Sequence, residues 1–116
     1  MTDKKENNAI LKIITDSLDD MKAEDVVVID LEGKTSIASY MVVASGTSNR
    51  HVASIAQKIE ENLKSAGHKT AIEGETKADW VLIDAFDVIV HIFRPEVREF
   101  YNLEKMWQSA ANLREK

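Results

Sequence analysis

The sequence predicts a single α/β domain (α+β in its mixture of strand directions) built on one mixed β-sheet of about five strands with helices packed against it. The chain has 116 residues, which is enough to bury one hydrophobic core without disulfides or metal ions. Apolar patterns typical of helices and strands alternate in the order α-β-β-α-β-β-β-α. Residues 88–93 are apolar at nearly every position, which indicates a central strand covered on both faces. We therefore expect one domain over 1–116, with 1–8 flexible and 108–116 forming a helical tail.

The first part of the chain predicts a helix followed by two strands. Apolar residues spaced three and four apart lie on one face of a helix: Ile10, Ile13, Ile14, Leu18 and Met21. The β-branched run at 25–31 predicts the first strand, and 39–45 predicts the second. Between them, Glu32-Gly33-Lys34 is typical of a turn.

A second helix follows Gly46, which interrupts the second strand. Either Thr47 or Ser48 can cap its start, because a hydroxyl oxygen accepts a hydrogen bond from a free N–H group of the first turn. Gly67 has the position and residue type expected just past the end of a helix. The predicted buried stripe consists of Val52, Ile55, Ala56, Ile59 and Leu63.

The second half of the chain predicts three strands and a last helix. The strands are expected at 70–72, 80–84 and 88–93, with a hairpin through the three residues Ala85-Phe86-Asp87. Pro95 suits the first position of the last helix, where its missing N–H group costs nothing. The predicted buried stripe of that helix comprises Val97, Phe100, Leu103, Trp107 and either Ala110 or Ala111.

Composition excludes several classes of function. The absence of cysteine excludes disulfides, thiolate catalysis and cysteine-based zinc sites. The longest apolar run, 40–44, is far too short to span a membrane, and the polar start lacks the apolar region of a secretory signal. A net charge of −5 argues against a general nucleic-acid binder and favours a basic partner. We therefore expect a cytoplasmic protein with no direct sequence-specific contact to nucleic acid.

The segment Gly46-Thr47-Ser48, between a strand and a helix, has two interpretations. Free N–H groups at a helix start bind anions, and nucleotidyltransferases place a Gly-Ser pair there to hold a triphosphate. Those enzymes also need two carboxylates on a following strand to bind magnesium. Here the next acids, Glu60 and Glu61, fall late on the helix. We therefore favour a helix cap over a phosphate-binding loop.

Basic residues and histidines offer weaker candidates. Arg50 and His51 oppose the helix dipole, so they could bind an acidic group or hold Asp30 or Asp84. We favour a local role, with His51 neutral and Arg50 paired with a nearby carboxylate. The spacing of His51, His68 and His91 is not that of a metal site. We expect His91, between Ile89 and Phe93 on one strand face, to be a hydrogen-bonded core residue.

Trp80 is the strongest candidate for a binding residue. Strand alternation places Trp80, Leu82 and Asp84 on one face, with Asp79 and Asp87 close by in sequence. An aromatic residue with a charged rim is typical of a protein interface. The alternative is that a helix covers this face, so that Trp80 belongs to the core and the acids are merely solvated. The strand pattern alone leaves both open.

Two blocks carry a resemblance to a known family. Residues 74–107 read GETKADWVLIDAFDVIVHIFRPEVREFYNLEKMW and residues 44–56 read ASGTSNRHVASIA. In these blocks and in their order, the chain resembles the ribosomal silencing factor S family, also called Iojap, over about residues 10–107. The resemblance implies an α/β fold with a mixed sheet, similar to the nucleotidyltransferase fold. It also favours the interface interpretation of Trp80.

The resemblance further implies a function without catalysis, cofactor or metal. Family members bind the large ribosomal subunit through large-subunit ribosomal protein fourteen (uL14), block joining with the small subunit, and lower translation when nutrients run short. The implied docking residues are Trp80, Leu82, Asp84 and Asp87, with Asp79 at the rim and Tyr101 and Glu104 as further contacts. Three alternatives stay open: an enzyme using a nucleoside triphosphate and magnesium, a large-subunit assembly factor, and use of the same face for a homodimer.

Overall fold

The predicted element order and mixed sheet are confirmed by the computed structural model, which describes residues 4–31 and 38–102. The elements are α1 (Lys4–Asp20), β1 (Glu24–Asp30), β2 (Tyr40–Ser45), α2 (Asn49–Ser65), β3 (Ala71–Glu73), β4 (Trp80–Ala85), β5 (Val88–Phe93) and α3 (Pro95–Tyr101). The turn predicted at Glu32-Gly33-Lys34 lies outside the described residues. In the described part of the chain, no helix is long and apolar enough to cross a membrane.

Strand β5 lies at the centre of the sheet, as its apolar sequence predicts. The strand order is β1-β2-β5-β4-β3. Strands β2 and β5 run parallel, whereas β1–β2, β3–β4 and β4–β5 are antiparallel pairs. On β5, Val88, Val90, Ile92 and Phe93 are fully buried, His91 is nearly so, and Ile89 is half-buried. The two faces of the sheet differ in how they are covered.

The helix face of the sheet packs against α1 and α2. The predicted stripe of α2 is confirmed, and that of α1 is confirmed except that Ile13 is half-buried and Met21 lies just past the helix. The buried residues are Ile10, Ile14 and Leu18 from α1 and Val52, Ile55, Ala56, Ile59 and Leu63 from α2. Ser17 is also fully buried, and its hydroxyl donates to Ile13 O (2.7 Å) while accepting from Asn62 Nδ2 (2.7 Å). The polar group between the two helices is therefore satisfied, as burial requires.

The opposite face, here called the outer face, carries Met41, Val43, His91, Phe93 and Trp80. Its buried cluster is smaller than that of the helix face: Ile29, Leu31, Ala38, Met41, Val43 and Phe93. Helix α3 contributes Val97 to its edge, and Arg98 Nη1 donates to Ser45 Oγ at 2.8 Å. Among the described residues, α3 has only seven residues and covers a limited part of this face. The outer face is therefore where candidate binding residues reach the surface.

The start of α2 decides between the two predicted caps. Ser48 is the N-cap residue, and its hydroxyl accepts from His51 N at 3.0 Å. Gly46 is required for packing, because a Cβ there would lie 2.8 Å from Val52 Cγ2 and 2.9 Å from Val52 N. Gly67 follows the helix at φ +87°, as predicted.

Two expectations need correction. The β4–β5 turn has two residues rather than three, because Ala85 pairs with Val88 and only Phe86 and Asp87 remain in the turn. Helix α3 ends at Tyr101, since Asn102 adopts the left-handed conformation (φ 49°, ψ 45°) and stops the predicted continuous stripe. Positions 103–116, including the predicted tail, lie outside the described residues. Helix α1 begins at Lys4, and the predicted flexibility of residues 1–8 stays a prediction.

We expect Ser48→Ala to lower the free energy of unfolding by about 1 kcal/mol, because the first turn of α2 loses its side-chain acceptor. Chemical denaturation measures the change. Ser48→Asp is the matched variant and should stay near the wild type, since a carboxylate accepts the same bond. Equal destabilisation by Thr47→Ala and Ser48→Ala would contradict the assignment of the cap.

Candidate functional site

Strand β4 presents two different faces, as its sequence predicts. Val81, Ile83 and Ala85 are buried on the helix face. On the outer face, Trp80 and Leu82 are half-buried and Asp84 is exposed. The structure therefore brings three of the predicted docking residues onto one line along β4.

Trp80 packs on the outer face through defined contacts with β5. It lies directly opposite Phe93 in the β4–β5 register, and the two rings stack with centroids 5.0 Å apart at 28°. The ring of His91 lies 5.8 Å from the indole, and Trp80 Nε1 donates to His91 Nδ1 at 3.0 Å. Trp80 is therefore held in one orientation while remaining half-buried. Its ring is packed against the sheet, as the core interpretation expects, and part of it is accessible, as the interface interpretation expects.

His91 is the buried partner in this arrangement. Its side chain is 7% exposed, and burial lowers its pKa from 6.5 to about 4. Because an indole N–H can only donate, Nδ1 of His91 must be the acceptor, which places the imidazole proton on Nε2. The expectation that His91 is a hydrogen-bonded core residue is confirmed.

Asp79 has partners within the protein. Its carboxylate accepts from Asn49 Nδ2 at 2.8 Å, and the same amide donates to Lys77 O at 2.7 Å. Arg94 Nη1 lies 3.8 Å from Asp79 Oδ1, and Arg94 N donates to Asp79 O at 3.0 Å. Asp79 thus links the start of α2 to the start of β4 and the end of β5, which lie together at one end of the β4–β5 pair. Its carboxylate has a structural task there.

The three predicted acids do not form a ring around Trp80. Asp79 precedes β4, whereas Asp84 lies five residues further on, about 17 Å along an extended strand. Asp87 is half-buried in the turn, where its carbonyl accepts from the backbone N–H groups of Ser39 and Tyr40. The acidic side chains are therefore spread along β4, and Asp84 is the exposed member on the outer face.

Two further docking candidates come from the end of the chain. Tyr101 is the last residue of α3, and the structure describes its backbone only. Glu104 lies outside the described residues. Their predicted roles stay predictions.

Within residues 44–56, His51 has a structural role. Its Nδ1 accepts from Thr47 N at 2.9 Å, and its Nε2 lies 2.8 Å from Met21 O, to which it donates. The ring therefore ties the loop after α1 to the start of α2, which agrees with the expected neutral form. The predicted pairing of Arg50 is wrong within the described part of the chain, where this exposed side chain has no salt bridge.

The N–H groups near Gly46 already have acceptors. Gly46 N donates to Phe93 O, Thr47 N donates to His51 Nδ1, and His51 N donates to Ser48 Oγ. A phosphate at this turn must displace these bonds, which favours the helix-cap interpretation. Among the described residues, no group of three His, Asp or Glu side chains could hold a metal ion.

Sequence and structure comparisons identify related proteins. The sequence profile of the family described as "Ribosomal silencing factor during starvation" matches residues 4–116. A Zymomonas mobilis protein named ribosomal silencing factor RsfS is 58% identical over 99 residues, which cover 84% of this chain and 74% of that protein. A mouse protein named mitochondrial assembly of ribosomal large subunit protein 1 is 35% identical over 89 residues, covering 73% of this chain and 39% of that protein. A solved Chromobacterium violaceum structure, 38% identical, has a TM-score of 0.85 and covers 87% of this chain and 85% of that one.

The lowered pKa of His91 predicts a pH dependence of stability. The unfolded chain binds a proton near pH 6.5, whereas the folded chain does so only near pH 4, so protonation favours unfolding. We expect this stabilisation to be complete above pH 6.5, to fall as pH drops, and to be lost by about pH 4. The loss attributable to His91 is at most about 3 kcal/mol.

Denaturant unfolding of wild type and His91→Gln between pH 7.5 and pH 4 measures this effect. The variant should lose less stability than the wild type over that range. Gln57→Ala, an exposed substitution that removes no titratable group, is the control and should keep the wild-type profile. Parallel profiles for wild type and His91→Gln would contradict a buried neutral His91.

Proposed function

The chain belongs to the ribosomal silencing factor family, and from that premise we propose that it binds the large ribosomal subunit and blocks joining with the small subunit. The partner on the subunit is a basic ribosomal protein, uL14. Translation is thereby repressed in the cytoplasm when nutrients are limiting. The observation that carries the proposal is the half-buried Trp80, held against Phe93 and His91 on the outer face.

The names of the relatives support the general part of this proposal. The Zymomonas mobilis protein is named as a ribosomal silencing factor, which favours silencing as the activity. The mouse protein is named for the assembly of the ribosomal large subunit, which favours that subunit as the target. The choice of uL14, and of Trp80, Leu82, Asp84 and Asp87 as contacts, goes beyond these names and is our proposal.

The geometry of Trp80 suits an anchor in a protein interface. Buried aromatic anchors supply much of the binding energy of such interfaces, and tryptophan is prominent among them. A side chain already fixed before binding loses less conformational entropy when the partner arrives. The stacking on Phe93 and the hydrogen bond to His91 provide this preorganisation. Leu82, half-buried on the same line, extends the apolar contact.

Charge favours a basic partner. The chain carries a net charge of −5, and Asp84 is exposed beside the apolar residues of the outer face. Complementary potentials accelerate association and position the partners, while an exposed charge pair adds little affinity. We therefore assign Asp84 to orientation and association rate, and Trp80 to affinity.

The proposed mechanism is obstruction. A bound protein excludes the small subunit if it occupies volume that the small subunit needs, so no bond is made or broken and no cofactor takes part. The nucleotidyltransferase alternative requires an anion at Gly46-Thr47-Ser48, where the N–H groups of Gly46 and Thr47 already have protein acceptors. Obstruction is the simpler use of this structure.

A second candidate function is assembly of the large subunit, which the name of the mouse relative favours. An assembly factor binds precursor particles and leaves the mature subunit. A silencing factor binds the mature subunit and suppresses joining. The two functions can use the same outer face, so the binding target distinguishes them.

We expect the double variant Trp80→Ala/Asp84→Lys to lose binding to mature large subunits, with at least a 30-fold increase in Kd. The first change removes the aromatic anchor and the second reverses the exposed charge. Sedimentation of purified subunits with the protein measures both binding and subunit joining. Wild type should travel with the large subunit and suppress joining, whereas the variant should do neither.

The matched control is Gln57→Ala/Glu61→Lys, which makes the same charge reversal on the exposed side of α2. It should behave as wild type. Thermal melting checks that every variant is folded, and Asp84→Lys alone provides an exposed substitution that leaves the Trp80 contacts in place. Wild-type protein that binds precursors but ignores mature subunits would favour assembly over silencing. Undiminished binding by a folded double variant would exclude this docking surface.

A further inference from the structure

Phe86 is the most exposed large apolar side chain in the described part of the chain. It is 60% exposed, compared with 41% for Val26 and 43% for Val28. A single exposed apolar residue is ordinary on a protein surface and needs no functional explanation by itself. In Phe86, however, exposure coincides with an unusual backbone conformation.

The backbone of Phe86 has φ +63°, which is the left-handed region. A bulky side chain is disfavoured there because its Cβ crowds the backbone, and glycine or asparagine is the usual residue. Phe86 is the first of the two turn residues between β4 and β5, a position at which two-residue hairpins favour glycine. The chain therefore keeps an aromatic residue where a smaller one would relieve strain, and the ring gains little burial in return.

The position of Phe86 connects it to the proposed docking surface. It follows Asp84 by two residues at the end of the strand that begins with Trp80. Phe86 lies six positions after Trp80, which corresponds to about 20 Å along an extended strand. Leu82 and Asp84 lie between them along the outer face of β4. A protein interface of ordinary size easily spans such a strip.

We propose that Phe86 is a second aromatic anchor of the docking surface and sets which partner surface this chain accepts. The inference rests on the proposed function and adds the chemistry of the partner. The matching ribosomal protein surface has two apolar recesses about 20 Å apart. Basic residues lie between these recesses, opposite Asp84. One recess takes the indole of Trp80 and the other takes the ring of Phe86.

The test is to measure binding and stability of Phe86 variants together. Phe86→Gly and Phe86→Asn remove the ring and relieve the strained backbone. We expect both to weaken binding to large subunits about tenfold, because an anchor is lost. Their Tm should stay level or rise by about 2–4 °C, because strain is relieved. Phe86→Trp keeps an aromatic ring and should bind within about twofold of the wild type.

Val28→Thr is the matched control, since it removes exposed apolar surface on β1, away from the proposed strip. It should leave Kd unchanged. Wild-type affinity for Phe86→Gly, alongside lost binding by Trp80→Ala/Asp84→Lys, would overturn the role of Phe86 and leave the proposed function standing. If the double variant also binds normally, the docking surface itself is wrong. Weakened binding accompanied by a clear drop in Tm would identify Phe86 as a structural residue and overturn the inference as well.

Discussion

Burial of β5 on both faces is the constraint on which the outer face depends. A central strand with neighbours on each side places alternate residues in two separate clusters, and His91 falls among the buried ones. A buried imidazole needs a hydrogen-bond partner and resists protonation. Trp80, on the neighbouring strand, supplies the donor at 3.0 Å. The buried histidine and the orientation of the indole are thus two consequences of one strand position.

The unequal covering of the two faces explains where binding can occur. The helix face is closed by two helices of 17 residues each, and the buried serine between them is satisfied. The outer face has only the seven-residue α3 beside it in the described part of the chain. Polar and aromatic side chains therefore reach the surface along β4 without weakening the main core. This separation leaves a stable scaffold behind the surface on which we propose that Trp80 and Asp84 contact a partner.

Much of the fold follows from apolar periodicity, and the departures have physical causes. The buried stripe of α2 and the central position of β5 can be predicted because many apolar residues in each element follow one pattern. The two-residue turn was missed because Phe86 gives no glycine signal, and its conformation depends on pairing between Ala85 and Val88. The end of α3 was missed because Asn102 is a less specific terminator than glycine.

The hydrogen-bond partners of the candidate site residues lie far away in the sequence and cannot be predicted from it. Alternation placed Trp80 and Leu82 on one face, but it could not show that Trp80 donates to His91. That partnership follows from the strand register, which the turn length sets. Asp79 shows the same limit, since its amide partner Asn49 lies thirty positions earlier on another element. Sequence spacing predicts the face of a strand on which a residue lies, whereas its hydrogen-bond partners are known only from the folded sheet.

Site-specific photocrosslinking shows which face of the protein contacts the large subunit. A photoreactive phenylalanine derivative replaces Leu82 on the outer face in one protein and Gln57 on α2 in another. Each protein is then illuminated with purified large subunits. We expect position 82 to crosslink to a basic large-subunit protein, uL14, and position 57 not to crosslink. Crosslinks to the subunit from position 57 alone would contradict this expectation, because they would place docking on the helix side of the molecule.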